Sequence, residues 1–222
     1  MTKAYIVNID RSLTSYEYRA LSQLLSPEKH ERIGRFHHYE DAQRSLLGDA
    51  LAKMAINVKS GLHYGEINFG VNPYGKPFLV NNPDLHFNIS HSTDYVACVI
   101  DDDPCGIDVE AIKTIDLKIA ERFFCEQERE YILNTPMQYH SRAFYEIWTM
   151  KEAYIKRDGR GLSLPLTSFS VLAETDSVYF HKIAANNDMI CHVCSGSTEI
   201  VSIKVDLTRL VLHIEENFMT AK

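Results

Sequence analysis

Nothing in the 222 residues resembles a membrane anchor: no apolar run approaches the roughly 20 residues needed to cross a bilayer, the longest being stretches such as Tyr95 to Ile100. The opening Met1-Thr2-Lys3-Ala4-Tyr5-Ile6-Val7-Asn8-Ile9-Asp10-Arg11 is broken by Asn8 and closed by two charges, too short an apolar stretch for a secretory leader. A disulfide framework is missing too. Five cysteines, Cys98, Cys105, Cys125, Cys191 and Cys194, are an odd number scattered over a chain long enough to do without staples, so free thiols and the cytoplasm are expected. There is no excess of positive charge: 30 acidic against 23 basic residues leave a formal charge of −7. A broadly basic surface for nucleic acid is thereby disfavoured, and any polyanion must be held locally. Low-complexity segments, long linkers and residue-level repeats are also lacking.

What is present is the composition of a globular protein, 45% hydrophobic and 24% charged, long enough for one large domain or two of about 110 residues. Tyr5 to Ile9 alternates as a strand. Thr14-Ser15-Tyr16-Glu17 has the form of a capping box, and Ser26-Pro27 pairs a cap with proline at the first helical position. The main helix of the first half is expected from about His38 to Val58, with Leu47, Leu51, Met54, Ala55 and Val58 at spacings of three and four. Strand-like pieces follow at Glu66 to Phe69, Phe78 to Val80, Phe87 to His91 and Tyr95 to Ile100, separated by turns rich in Asn, Pro and Gly. Asp101-Asp102-Asp103-Pro104 is the expected boundary. Beyond it the order restarts, with a strand at Gly106 to Glu110, helices at about Leu117 to Leu133 and Ser141 to Arg157, then strand-like segments from Phe169 to the C-terminus. Two similar α+β units are therefore expected, residues 1–105 and 106–222.

In Gly106-Ile107-Asp108-Val109-Glu110 a period of two puts both carboxylates on one side of the strand. Their repulsion would be relieved by a divalent cation such as Mg²⁺, which completes its shell with water and substrate phosphates; a solvated edge strand is the other reading. Around Trp148 to Arg157, Ala143, Ile147, Met150 and Tyr154 form an apolar stripe, and Glu152 and Lys156 lie about 140–180° from its centre. That pair is either a functional face or an ordinary i,i+4 ion pair. Lys151 projects within about 40° of the stripe's centre, where it must snorkel out or meet an acidic partner. In Phe87-Asn88-Ile89-Ser90-His91-Ser92, His91 shares a face with Phe87 and Ile89, and the hydroxyls of Ser90 and Ser92 share the other. His91 is either a phosphate contact or a hydrogen-bonded structural histidine. The Asn72–Pro77 turn could lie against a planar base and its phosphates or be turn chemistry only. Cys191-His192-Val193-Cys194 alternates as a strand and lacks a second ligand pair, so neither zinc nor a redox role is expected.

Gly106 to Glu110 about forty residues before Trp148-Thr149-Met150-Lys151-Glu152-Ala153-Tyr154-Ile155-Lys156 resembles the paired signature of 4'-phosphopantetheinyl transferases. Phe87 to Ser92, Tyr74-Gly75-Lys76-Pro77 and Ser26-Pro27-Glu28-Lys29 extend the likeness to about Val171, nearest to the monomeric, surfactin-synthetase-activating type. The resemblance implies two α+β subdomains, each a long helix on a small, mainly antiparallel sheet, related by a pseudo-two-fold with a ligand cleft between them. It implies transfer of the phosphopantetheine arm of coenzyme A to a serine of an apo peptidyl or acyl carrier protein, releasing adenosine 3',5'-bisphosphate. Partners would be the carrier and coenzyme A, with neither nucleic acid nor membrane, and the protein a monomer. Asp108, Glu110 and Glu152 would hold Mg²⁺. Glu152 would also be the base, with Asp108 and Lys156 catalytic and Lys151 assisting. His91, Lys29, Arg32 and Arg44 would hold the 3'-phosphate with Ser45 nearby, and Tyr74, Gly75, Lys76 and Ser90 would border the adenosine. Arg32 stands where lysine is expected, a planar fork in place of a point charge. The segment Arg157 to Leu166, with exposed-looking leucines, is either a carrier-docking edge or a helix-stop loop. A non-catalytic coenzyme A or nucleotide binder and a Mg²⁺-dependent pyrophosphohydrolase are the competing functions.

Overall fold

β1 (Thr2–Asn8) alternates apolar residues on both sides, and each side finds a core: Tyr5 and Val7 join one buried cluster, Ala4 and Ile6 another. A strand buried on both faces belongs at the middle of a layered molecule. The computed structural model describes residues 1–173, 177–183 and 188–218. After β1 come α1 (Ser15–Ser22), α2 (Pro27–Gly34), α3 (Tyr39–Ser60), β2 (Phe69–Val71), β3 (Pro77–Leu79), β4 (His86–Ser92), β5 (Tyr95–Asp101) and β6 (Gly106–Ala111). The chain continues through α4 (Lys118–Phe123), α5 (Glu126–Asn134), α6 (His140–Asp158), β7 (Tyr179–Ile183), β8 (Met189–Ser195), β9 (Ile200–Val205) and α7 (Leu207–Phe218).

Four layers result. α3 covers the outer face of the sheet β4-β5-β1-β9, with Leu47, Leu51, Met54 and Ala55 meeting Tyr5, Phe87 and Cys98. The inner face of that sheet packs, through Ala4, Ile6, Ala97 and Val99, against Ile107, Val109, Cys191 and Val193 of the sheet β6-β8-β7. α6 closes the other side, its aromatic cluster including Phe144 and Trp148 against Phe124. Each unit is thus a long helix on a small sheet, antiparallel except where β9 runs parallel to β1.

The start signals act as read. Thr14 caps α1 in a capping box with Glu17, and Ser26 caps α2 with Pro27 in its first turn. Three features differ from the sequence expectation. The helix expected over 117–133 is two, α4 and α5, because Phe124 turns extended to bury its ring and Cys125 restarts the helix with Glu128 bonded back to its N–H at 3.1 Å. Residues 64–66 form a single 3₁₀ turn, and the strand begins at Phe69. The C-terminal segment ends in a helix, with Leu207, Leu210, Val211 and Ile214 buried and Asp206 capping the N–H of Arg209 at 3.1 Å. β9 and α7 also pack on the first unit, joining its sheet and its core, although they follow residue 106 in sequence. Residues 174–176, 184–187 and 219–222 of the segment expected to be strand-like lie outside the described residues.

Candidate active site

β6 is the edge of its own sheet, bonded to β8 on one side, and it runs beside β4 on the other. The N–H groups that an edge strand leaves unpaired need acceptors. Side chains of β4 provide them: Asn88 Oδ1 accepts from Ile107 N at 3.0 Å, Ser90 Oγ from Val109 N at 3.3 Å and Ser92 Oγ from Ala111 N at 3.3 Å. The two hydroxyls then donate to the carboxylates of β6, Ser90 to Asp108 Oδ1 at 2.9 Å and Ser92 to Glu110 Oε2 at 2.8 Å.

α6 supplies the remaining groups. Gly106 lets β6 touch α6 backbone to backbone: a Cβ there would stand 2.1 Å from the Ala153 carbonyl oxygen and 2.5 Å from the Arg157 nitrogen. One turn of α6 thereby lowers Lys156 Nζ to 2.6 Å from Asp108 Oδ1 and 3.0 Å from Ser90 Oγ. Glu152, one turn earlier, lines the same cavity of about 1210 Å³ as Asp108, Glu110, Lys156, Ser90 and His91. Burial, reinforced by the charge of Asp108, pushes the Glu152 carboxyl up to about 7, against the opposing pull of Lys156. Burial and Asp108 also raise Glu110, while the Ser92 hydroxyl and Lys156 restrain the rise. His91 is lowered, first by burial and then by Arg44, Lys156 and Lys29, so a patch of positive potential surrounds a neutral imidazole.

This donor set suits a hard divalent cation. Three carboxylates share one cavity, their charges act on one another, and Asp108 Oδ2 is buried without a hydrogen-bond partner among the described residues. A cation would occupy that lone oxygen and relieve the repulsion. Among the described residues no three His, Cys, Asp or Glu side chains stand close enough together to form a metal cluster as they are.

The other expected site residues fall into two groups. Lys29, Arg32, Ser45 and Gly75 line the cavity with His91 and Ser90. Lys29 is paired there with Asp49 at 2.9 Å. Arg44, Tyr74, Lys76 and Lys151 are outside the lining. Arg44 donates to the Thr93 carbonyl at 2.8 Å and to Asp41 at 2.5 Å, reaching the site through its charge on His91. Tyr74 is exposed on the turn between β2 and β3. Lys76 Nζ donates to the carbonyls of Cys105 at 3.2 Å and Arg157 at 3.1 Å, capping the end of α6. Lys151 turns away altogether and is fully buried. Its ammonium meets Glu128 at 2.9 Å, the Leu166 carbonyl at 2.6 Å and the Phe169 carbonyl at 2.7 Å, which uses all three donors. Of the two outcomes open to a lysine on the apolar stripe, snorkelling out or meeting an acidic partner, the second is the one found.

Sequence reasoning missed Asp49 and Lys53, and it placed Ser92 on the hydroxyl face of its strand without giving it a role in the site. Asp49 and Lys53 are buried on α3 and line the cavity, Lys53 Nζ 5.6 Å from the Phe69 ring centre; their signal was an i,i+4 charge pair inside an apolar helix. Cys191 and Cys194 are free, buried thiols three positions apart on a strand, and burial raises both, Cys194 to about 12. Beyond α6, Gly159 ends the helix in a left-handed conformation (φ 90°), and Leu162 is exposed on the loop that follows. No helix among the described residues is long and apolar enough to cross a membrane.

Comparison with known proteins shows the family to which the chain belongs. Residues 104–202 match the family model described as the 4'-phosphopantetheinyl transferase superfamily, and residues 12–102 match 4'-phosphopantetheinyl transferase, N-terminal. The chain is 45% identical over 174 residues to the 4'-phosphopantetheinyl transferase Sfp of Bacillus subtilis, covering 78% of each. It is 38% identical over 169 residues to the transferase gsp of Aneurinibacillus migulanus, covering 76% of this chain and 70% of the relative. To HetI of a Nostoc species it is 32% identical over 149 residues, 64% of this chain and 63% of the relative. With both halves matched in order, the chain belongs to the 4'-phosphopantetheinyl transferases.

Proposed function

We propose that this enzyme transfers the 4'-phosphopantetheine group of coenzyme A to a serine hydroxyl of an apo peptidyl or acyl carrier protein, in a magnesium-dependent reaction that releases adenosine 3',5'-bisphosphate. The observation that carries the reading is the meeting of Lys156, Ser90 and Asp108 within hydrogen-bond distance, in one cavity with Glu110 and Glu152.

Asp108, Glu110 and Glu152 would hold the metal. When bound, magnesium offsets charge on the pyrophosphate oxygens and on the leaving phosphate. Glu152, facing the same cavity, takes the proton of the incoming serine hydroxyl, directly or through one water. The serine oxygen then bonds to the phosphorus that carries pantetheine, and the bond from that phosphorus to the bridging oxygen breaks. Lys156 meets the charge that develops on the leaving group. Lys29, Arg32 and His91 line the cavity and are the groups for the 3'-phosphate, with Arg44 adding its field; Lys29 must exchange Asp49 for the ligand. Gly75 and Ser90 border the adenosine. Lys76 and Lys151 act on the helix instead, as cap and buried anchor.

Coenzyme A as substrate and carrier proteins as acceptors follow from the family, and carriers of nonribosomal peptide synthesis are favoured by the resemblance. The cleft is completed within one chain, so the enzyme is proposed to act as a monomer. Its buried free thiols suit the reducing cytoplasm. Two units, residues 1–105 and 106–222, are proposed to carry the cleft, with β9 and α7 returned to the first. The test is to incubate the protein with coenzyme A, Mg²⁺ and an apo carrier, and to quantify both products. Bisphosphate release equal to carrier modification supports transfer. Release without carrier modification would make the protein a hydrolase, and neither product would make it a binder.

A further inference from the structure

Every second side chain of β4 from Asn88 to Ser92 reaches a backbone N–H of β6 nineteen residues further on, in a constant register. Small polar side chains thus replace the main-chain acceptors of a neighbouring strand, and the two sheets are clasped at their edges. The three bonds are not equivalent. Asn88 spends its carbonyl oxygen on Ile107 N, with no carboxylate attached. Ser90 is shared among Val109 N, Asp108 and Lys156. Ser92 has a simpler arrangement: its oxygen accepts from Ala111 N at 3.3 Å and its one proton goes to Glu110 Oε2 at 2.8 Å.

A hydroxyl has a single proton, so accepting from a fixed backbone N–H restricts where that proton can point. From this geometry we infer that Ser92 is a positioning residue: the clasp orients its hydroxyl, and the hydroxyl holds Glu110 in the conformation the cation needs. The inference rests on the reading of Glu110 as a magnesium ligand. Partners that orient a metal-binding carboxylate change affinity by about 10–100-fold when removed.

The experiment is Mn²⁺ binding followed by electron paramagnetic resonance, on the full-length protein with coenzyme A present. Wild type should bind Mn²⁺, Ser92→Ala should bind it about tenfold more weakly, and Ser92→Thr, which keeps the hydroxyl, should restore binding. Coenzyme A affinity measured without metal should be the same in all three. Asn88→Ala cuts the clasp away from the carboxylates, so it should lower the melting temperature and leave Mn²⁺ affinity unchanged. The inference is overturned if Ser92→Ala binds Mn²⁺ as wild type does, if Asn88→Ala weakens binding equally, or if Ser92→Thr fails to restore it. Absence of Mn²⁺ binding by wild type would instead overturn the metal reading beneath it.

Discussion

Glu152 and Lys151 are consecutive residues with opposite assignments, and the helical turn of about 100° per residue between them is the reason. Glu152 is held in a cavity beside two like charges, and its carboxyl is raised from 4.5 to about 7. A carboxyl raised on folding binds its proton more tightly in the native state, so its stabilising contribution is complete below pH 4.5 and disappears as pH rises through about 7. Metal-free wild type should therefore lose melting temperature relative to Glu152→Gln as pH is raised from about 5 to about 8. A difference that stays constant with pH would contradict this environment for Glu152. Lys151, in contrast, anchors the helix. Lys151→Met would leave Glu128 buried and unpaired, and should cost about 3–5 kcal/mol in urea denaturation. Glu128→Gln removes the counter-charge of Lys151 and sets an amide NH2 against one of the N–H donors the carboxylate accepts from, so it should cost a comparable amount. A Lys151→Met protein of wild-type stability that binds coenzyme A weakly would instead make Lys151 a ligand residue.

At the scale of elements, the site is made where β6 touches α6. Gly106 is the contact point, and a side chain there cannot be accommodated without moving backbone. Gly106→Ala should lower stability by at least about 2–3 kcal/mol and reduce transfer, because lifting β6 from α6 separates Asp108 from Lys156. Chemical denaturation and a transfer assay check both parts. Much of this was legible beforehand, since alternation located β1, β4, β5 and β6, capping chemistry located α1 and α2, and a stripe with one misplaced lysine located α6. The angle of Lys151 on the helix left it either to snorkel out or to meet an acidic partner; which of these holds, and that the partner is Glu128, was not legible, because Glu128 belongs to another helix. The clasp was half legible: the serines of β4 were seen to share a face, yet what that face meets is a long-range contact that local spacing does not encode. α7 escaped notice because Leu207 follows the alternating β9 with one intervening residue, so the change of period from two to three or four comes without a proline or glycine.

For the whole molecule, the two units are joined by a continuous apolar layer, and the last strand and helix return to the first unit. Removing residues 200–222 would strip a parallel neighbour from β1 and uncover the core that Leu207, Leu210, Val211 and Ile214 complete. Amide exchange on such a truncation should show lost protection in β1 and α3, at the opposite end of the sequence; protection lost only in β7 and β8 would contradict the packing. The same arrangement places α2 and α3, with their cations, across one cavity from β6 and α6, with their carboxylates. The most direct measurement is the mass of an apo carrier protein after incubation with coenzyme A and this enzyme, with Mg²⁺ or with chelator, for wild type and Glu152→Gln. The account predicts one phosphopantetheine-sized gain on a serine, present only with wild type and metal. An unmodified carrier in every condition, or a gain indifferent to both chelator and substitution, would contradict it.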